Sequence, residues 1–448
     1  MPISSSSAQQ ENLLHKHHGS LAIFYGSRRR KLLYLSIVAF SLALFLFARQ
    51  TYSSTDVLTQ HLRPPSEPAA ISHTNFDSSS PTVINAGPII FTFIIWSESS
   101  AVEGALLLKT ILLYSSRPSD IHIICDSDAE NILRHRFSLV QHPLHRVRVW
   151  FYKPSWQAML DRIEREGSIQ TDHSAGLPGL MKLFIHEIVP PTVKKSIYID
   201  TDALFVSDPA LLWDVFNSLH SSTAIVMGSH PDQEAPEWHH ASKICSCVML
   251  LDLEKLRSLR LMDSSIYRDL GGIQALSPPA FRAKYGLPGG DVTGRYNNVR
   301  LGDQGYWWAI VDYYPNIFEP LSYDFEVTSC LLDTYLTGLG NELVPMEQEL
   351  SYQIHVQGTP QEGKVVLPKL LHFNCLHGTD VYMEWSGWSD PTNGLTIRWG
   401  AALAYHKGFK WIWLNQGKAE DNLQILTVHD VVFADQLEAS RRIKSLHS

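Results

Sequence analysis

Cysteine is scarce, with five in 448 residues, at positions 125, 245, 247, 330 and 375. An odd number at that spacing excludes a small disulfide scaffold. The CSC triplet at 245–247 lacks the second Cys or His pair that a zinc module uses, which favours two buried thiols beside a strand. Charge is also low, at 18% of residues with a net value of −8, and this excludes the basic footprint of a nucleic-acid binder. There is no internal repeat. A hydrophobic fraction of 44% excludes a long disordered or fibrous chain. Aromatic mass is ample, with 12 Trp, 17 Tyr and 18 Phe, enough for a large core. The 21 histidines would partly protonate in a mildly acidic compartment and offset the negative charge. The length fits two to three domains, or one large domain with appendages.

The first residues set an address. Residues 1–31 are polar and end in Arg28, Arg29, Arg30 and Lys31. From Leu32 to Phe47 there is no charge, and Arg49 closes the run. At ~1.5 Å per residue this spans roughly 25 Å, close to a ~30 Å hydrocarbon core. A cleaved signal peptide would need a shorter lead and a small-residue cleavage site. The basic block predicts a cytosolic tail (1–31), a transmembrane helix (32–48) and a lumenal remainder. That is a single-pass type II protein of the Golgi or ER membrane. Residues 49–86 are rich in Ser, Thr and Pro and read as a flexible stem. No N-x-[ST] glycosylation acceptor follows it.

The body alternates short apolar strands with helices. Strands are predicted at Ile89–Ile95, Ile121–Cys125, Val147–Tyr152, Ser196–Asp200, Thr223–Met227, Cys247–Leu251 and Leu367–Phe373. Helices are predicted at Val102–Tyr114, Leu177–Val189, Asp252–Leu261 and Gly302–Asp312. Continuous β-branched runs between helices predict an α/β fold with a mainly parallel sheet. The Gly- and Pro-rich stretch 262–300 reads as a long loop over a ligand. Residues 386–448 form a C-terminal extension ending in an amphipathic stretch, Val428–Ile443, with Val431, Val432, Phe433 and Leu437 as its apolar positions.

Ile197–Phe205 reads IYIDTDALF. Asp200 and Asp202 fall at the carboxyl end of an apolar strand, the edge where open α/β sheets bind ligands. At i and i+2 they share one side of an extended segment. Two hard oxygen donors suit Mn²⁺ or Mg²⁺ and leave positions for phosphate oxygens. A D-x-D triplet alone is common on surface turns. Here it follows a buried strand, and Ser207-Asp208-Pro209 then starts a helix that is predicted to pack Leu211, Leu212 and Trp213.

Several stretches together resemble the glycosyltransferase family 8 enzymes, closest to the eukaryotic xylosyltransferase-like and LARGE-like branches. They are KLFIHEIVPPTVKKSIYIDTDALFVSDPALLW (182–213), IHIICDSDAENIL (121–133), CSCVMLLDLEKLR (245–257), GDQG (302–305) and LLHFNCLHG (370–378). The resemblance covers residues 87–385 and implies a GT-A catalytic domain. It implies retaining transfer from a UDP-sugar, with Mn²⁺ (Mg²⁺ as the alternative), to a glycan or glycoprotein acceptor. Xylose is favoured, then glucose or galactose. By the same resemblance Asp200, Asp202 and His372 match metal ligands. Lys182, Thr201, Ser246 and His377 fall on the donor side, and Asp303 and Gln304 near the reacting sugar. No protein nucleophile is implied, and an oligomeric state is left open.

The pattern also departs from the family. Cys245 and Cys247 replace Asn and Gly, Gly305 replaces an Asp, Cys375 stands where Gly is expected, and Gly378 stands where Lys is expected. His377 or Lys369 is then the nearest substitute cation. Two alternatives stay open. One is a relative that binds a UDP-sugar without turnover. The other is a D-x-D phosphatase, which usually carries Thr or Val where this chain has Leu204.

Overall fold

The chain adopts an eight-stranded α/β sheet with a small accessory sheet at its ligand-binding edge. The computed structural model describes residues 87–169, 175–231, 240–271, 277–285, 294–296, 299–330, 345–418 and 422–446. The predicted tail, transmembrane helix and stem lie outside these residues. Among the described residues no helix is long and apolar enough to cross a membrane.

The strands in chain order are β1 (Ile89–Ile95), β2 (Ser119–Cys125), β3 (Val147–Tyr152), β4 (Lys195–Ile199), β5 (Ala203–Phe205), β6 (Ile225–Ser229), β7 (Ile244–Asp252), β8 (Gly294–Tyr296), β9 (Val299–Arg300), β10 (Phe318–Leu321), β11 (Val327–Thr328), β12 (Leu370–His372) and β13 (Leu423–Val428). The main sheet runs β10-β6-β7-β4-β1-β2-β3-β13. Its pairings are parallel except those of β7, which runs antiparallel to both β4 and β6. The predicted α/β class with a mainly parallel sheet therefore holds. Burial on both faces explains the unbroken apolar strands. Phe91, Phe93 and Ile95 of β1 point into one core, and Tyr198 of β4 into the other.

The chain order reverses beside β1. From β1 it proceeds to β2 and β3 on one side, then returns to β4 on the other. The carboxyl ends of β1 and β4 flank that switch point, where a crevice opens. Helix Glu98–Tyr114 leaves β1 through an N-cap in which Ser97 Oγ accepts from the Ser100 amide. It therefore begins one turn earlier than the apolar spacing predicts.

Four expectations are corrected. The stretch 262–300, expected as a long loop, carries helices Ser265–Asp269 and Pro278–Tyr285 and strands β8 and β9. Leu177–Val189 is a succession of short segments, helical at Gly176–Leu180 and Ile185–Ile188 with a 3-10 turn at Met181–Phe184 between them. Leu180, Met181, Leu183, Phe184 and Ile188 are nonetheless all buried as expected. Of the three residues expected to pack from helix Ala210–Asp214, only Leu212 is buried, while Leu211 is 47% exposed. The C-terminal amphipathic stretch Val428–Ile443 is helical only from Ala434, in helix Ala434–Leu446, and an unpredicted strand, β13, precedes it. β13 pairs in parallel with β3 and closes that edge of the sheet. The helix is anchored by Asp435, which is fully buried and accepts two hydrogen bonds from Arg165 and one from Ser264.

The accessory sheet has the order β11-β12-β5. β12 runs antiparallel to β5, with His372 opposite Ala203. This register carries a residue from late in the chain to the D-x-D turn.

Candidate active site

A cavity of about 690 Å³ opens at the switch point. That volume lies within the range of small-molecule sites. Lys182, Asp200, Thr201, Asp202, Ser246, Asp303, Gln304 and His372 all line it. The structure thus brings together eight of the nine residues singled out from sequence. His377 is the exception: it is exposed on the loop after β12, where Asn374, Cys375 and Asp380 line the cavity instead. Lys369 is not a substitute cation for the cavity, because its ammonium pairs with Asp324.

The polar groups form two linked halves. In the first, Lys182 Nζ lies 2.8 Å from Asp200 Oδ1 and 3.3 Å from Asp303 Oδ2. Tyr198 donates its hydroxyl to Asp200 at 2.6 Å, and Ser246 donates to Asp303 at 2.8 Å. Burial disfavours the Lys182 ammonium, but Asp200 and Asp303 overcome it and hold the amine well above its usual range. Burial raises Asp303 against the pull of Lys182. Leu301 and Gly302, both at positive φ, turn the chain sharply into helix Asp303–Tyr313 and set Asp303 and Gln304 at its start.

In the second half, His372 Nε2 lies 3.2 Å from Asp202 Oδ1. The Phe373 amide donates to the Asp202 carbonyl at 2.8 Å and locks the turn to β12. Burial opposes both charges, yet the mutual attraction wins: Asp202 is held below the usual carboxylate range and His372 well above the usual imidazole range. Donor atoms of Asp200, Asp202 and His372 all lie within 4.8 Å of one another. His372 Nδ1 is buried without a hydrogen-bond partner. Two carboxylates and one imidazole at this spacing fit a divalent cation.

Glu103 is a site residue that sequence reasoning missed. It accepts from the Tyr382 amide at 2.8 Å and from Thr201 Oγ1 at 3.2 Å. Burial, helped by nearby Asp202, pushes its carboxyl up to about 7. The only sequence signal was its place in the helix that leaves β1 at the binding edge. Trp96, next after β1, adds an aromatic wall. Trp307 is fully buried in the core and does not face the cavity.

Cys245 and Cys247 also line the cavity. Both keep free thiols, whereas Cys330 and Cys375 are joined in a disulfide with Cα atoms 5.4 Å apart. Cys375 adopts φ 61°, a conformation that favours glycine. The disulfide ties this residue to Cys330.

No protein-family model matches the chain. Over 148 residues it is 35% identical to the xylosyl- and glucuronyltransferase LARGE2 of Mus musculus, a match covering 32% of this chain and 19% of that protein. Over 112 residues it is 38% identical to the xylosyl- and glucuronyltransferase LARGE1 of Homo sapiens, covering 25% of this chain and 14% of that protein. The matched region thus spans about a fifth or less of the length of these curated relatives. Among solved structures, mouse xyloside xylosyltransferase 1 in its apo form aligns with 65% of this chain and 100% of its own, at a TM-score of 0.43 and 15% identity. The galactosyltransferase LgtC, in complex with donor and acceptor sugar analogues, aligns with 71% of this chain and 95% of its own, at a TM-score of 0.41 and 10% identity. The resemblance to glycosyltransferases of the xylosyltransferase-like and LARGE-like kind is borne out by the sequence relatives.

Proposed function

We propose that this chain is a UDP-sugar-dependent glycosyltransferase of the GT-A type that transfers a sugar with retention to a glycan or glycoprotein. Xylose is the favoured donor sugar, then glucose or galactose. The observation that carries this reading is the convergence of Asp200, Asp202 and His372 beside Lys182, in one cavity at the sheet's switch point. A surface-turn origin for the D-x-D triplet does not account for a histidine delivered from β12 and buried against it.

Asp200, Asp202 and His372 would hold Mn²⁺, or Mg²⁺ in its place. When bound, such a cation supplies Lewis-acid neutralisation of a departing diphosphate. Lys182, braced between Asp200 and Asp303, adds a fixed positive charge on the same side of the cavity. Trp96 offers a flat apolar face for a base or sugar ring. Ser246 and Asp303 fix the start of helix Asp303–Tyr313, so that Gln304 presents its amide to the reacting sugar. The apolar run 32–48 supports membrane anchoring with this domain in the Golgi or ER lumen.

The test is UDP release from a panel of UDP-sugars with Mn²⁺, with and without EDTA. Metal-dependent release from one donor supports the reading and names the sugar. Folded protein that binds neither UDP nor Mn²⁺ would overturn it.

A further inference from the structure

Cys245 and Cys247 have no part in the proposed transfer. They sit two residues apart in β7, so their side chains leave the strand on the same side. The register of β7 against β6 shifts between Met227 and Gly228. Glu326, fully buried, occupies the space this creates: a Cβ on Gly228 would lie 1.1 Å from Glu326 Oε2. Cys247 Sγ donates to Glu326 Oε1 at 3.3 Å. Glu326 Oε2 and His372 Nδ1 are both buried with no hydrogen-bond partner.

The sequence offered CSC without a further ligand pair. The fold supplies a third ligand from β12. The two sulfurs and a ring nitrogen of His372 lie within 4.8 Å of one another. Two thiols packed inertly beside a strand is the plainer reading, and it fits most buried cysteines. It leaves unexplained why both thiols converge on an imidazole that has an unpartnered nitrogen. Soft thiolates with one imidazole suit Zn²⁺, and three protein ligands with an open fourth position make a recognised zinc geometry. Two carboxylates with the same imidazole suit a harder ion.

We propose that Cys245, Cys247 and His372 form a second, thiolate-rich site selective for Zn²⁺, and that filling it keeps a divalent cation off Asp200, Asp202 and His372. His372 belongs to both ligand sets, and a neutral imidazole offers a lone pair on only one of its two nitrogens, so the two sites are alternatives. As the bonds to Zn²⁺ form, each thiol and the His372 imidazolium give a proton to solvent, and no oxidant is involved. The mutual exclusion rests on the glycosyltransferase reading, whereas the zinc site does not.

The test uses full-length protein in detergent, stripped of metal, whose three free thiols titrate. Co²⁺ serves as the optical stand-in for Zn²⁺. A thiolate-to-cobalt charge-transfer band should saturate at one Co²⁺ per chain and disappear on adding one equivalent of Zn²⁺. The double variant Cys245→Ser, Cys247→Ser should lose the band while keeping the wild-type cooperative thermal unfolding transition, which shows that it is folded. Asp202→Asn should keep the band. Zn²⁺ should slow Mn²⁺-dependent UDP release at least tenfold in the wild type and not in the double variant. Absence of the band, or a band that survives the double variant, would overturn the zinc site. A band that persists while Zn²⁺ leaves Mn²⁺-dependent UDP release unchanged would overturn the exclusion alone. Protein that shows the band but releases no UDP would count against the transferase reading and leave the zinc site standing.

Discussion

His372 Nε2 stands 3.2 Å from Asp202 Oδ1, although one residue ends β12 and the other lies in the turn before β5. The antiparallel register of the small sheet, with His372 opposite Ala203, creates this contact. The accessory sheet thus completes the site by bringing late chain to the D-x-D turn.

Lys182 is the brace of the other half, and its loss should cost both stability and activity. Lys182→Met leaves Asp303 buried without its counter-charge, which should destabilise the fold by about 3 kcal/mol at neutral pH. The loss should shrink at low pH, because Asp303 is already raised by burial and takes up a proton. Urea denaturation at pH 7.5 and pH 5 measures both. Equal losses at the two pH values would contradict the proposed pairing.

Glu103 should leave a signature in the pH dependence of stability. Its carboxyl is raised from 4.5 to about 7, so the folded state holds this proton more tightly than the unfolded state. Stability from this group is therefore full below the unfolded value and is lost as pH rises through about 4.5 to 7. In metal-free protein, Glu103→Gln should remove that slope and be more stable than wild type at pH 8, by up to about 3 kcal/mol. Thermal unfolding across pH 4–8 checks it, and an unchanged slope would contradict the assignment.

The disulfide should tie the cavity rim down. Cys330 and Cys375 enclose a sequence separation of 45. Loop-closure entropy then gives about 4 kcal/mol of stabilisation. Replacing both by Ser should lower the unfolding midpoint and weaken UDP binding, since both residues line the cavity. The pair Cys330→Ser, Cys375→Gly should recover about 1 kcal/mol of the loss, because Gly accepts the left-handed conformation at 375 without strain. Equal stability of the two pairs would argue that the backbone there relaxes.

Much of the architecture could be read from the chain because strands buried on both faces are continuous apolar runs, and IIFTFII and VRVWFY match β1 and β3 residue for residue. Edge strand β13 escaped because only alternate residues are half-buried and its apolar pattern runs on toward a helix. The first turn of helix Glu98–Tyr114 escaped because its residues are polar and only its cap, Ser97, announces it. Asp200 and Asp202 were readable as a local pattern. Glu103, the Cys330–Cys375 bond and the meeting of the CSC thiols with His372 depend on long-range register, which no local pattern encodes.

The most direct measurement compares wild type with Asp202→Asn for Mn²⁺-dependent UDP release from UDP-xylose, UDP-glucose and UDP-galactose. Asp202 supplies one of three converging metal donors, so the variant should lose several kcal/mol of transition-state stabilisation, about 10²–10³-fold in rate. Wild type should release UDP from one of the three donors and stop when EDTA is added. Undiminished release by Asp202→Asn, or release that EDTA does not touch, would contradict the metal-assisted transferase site.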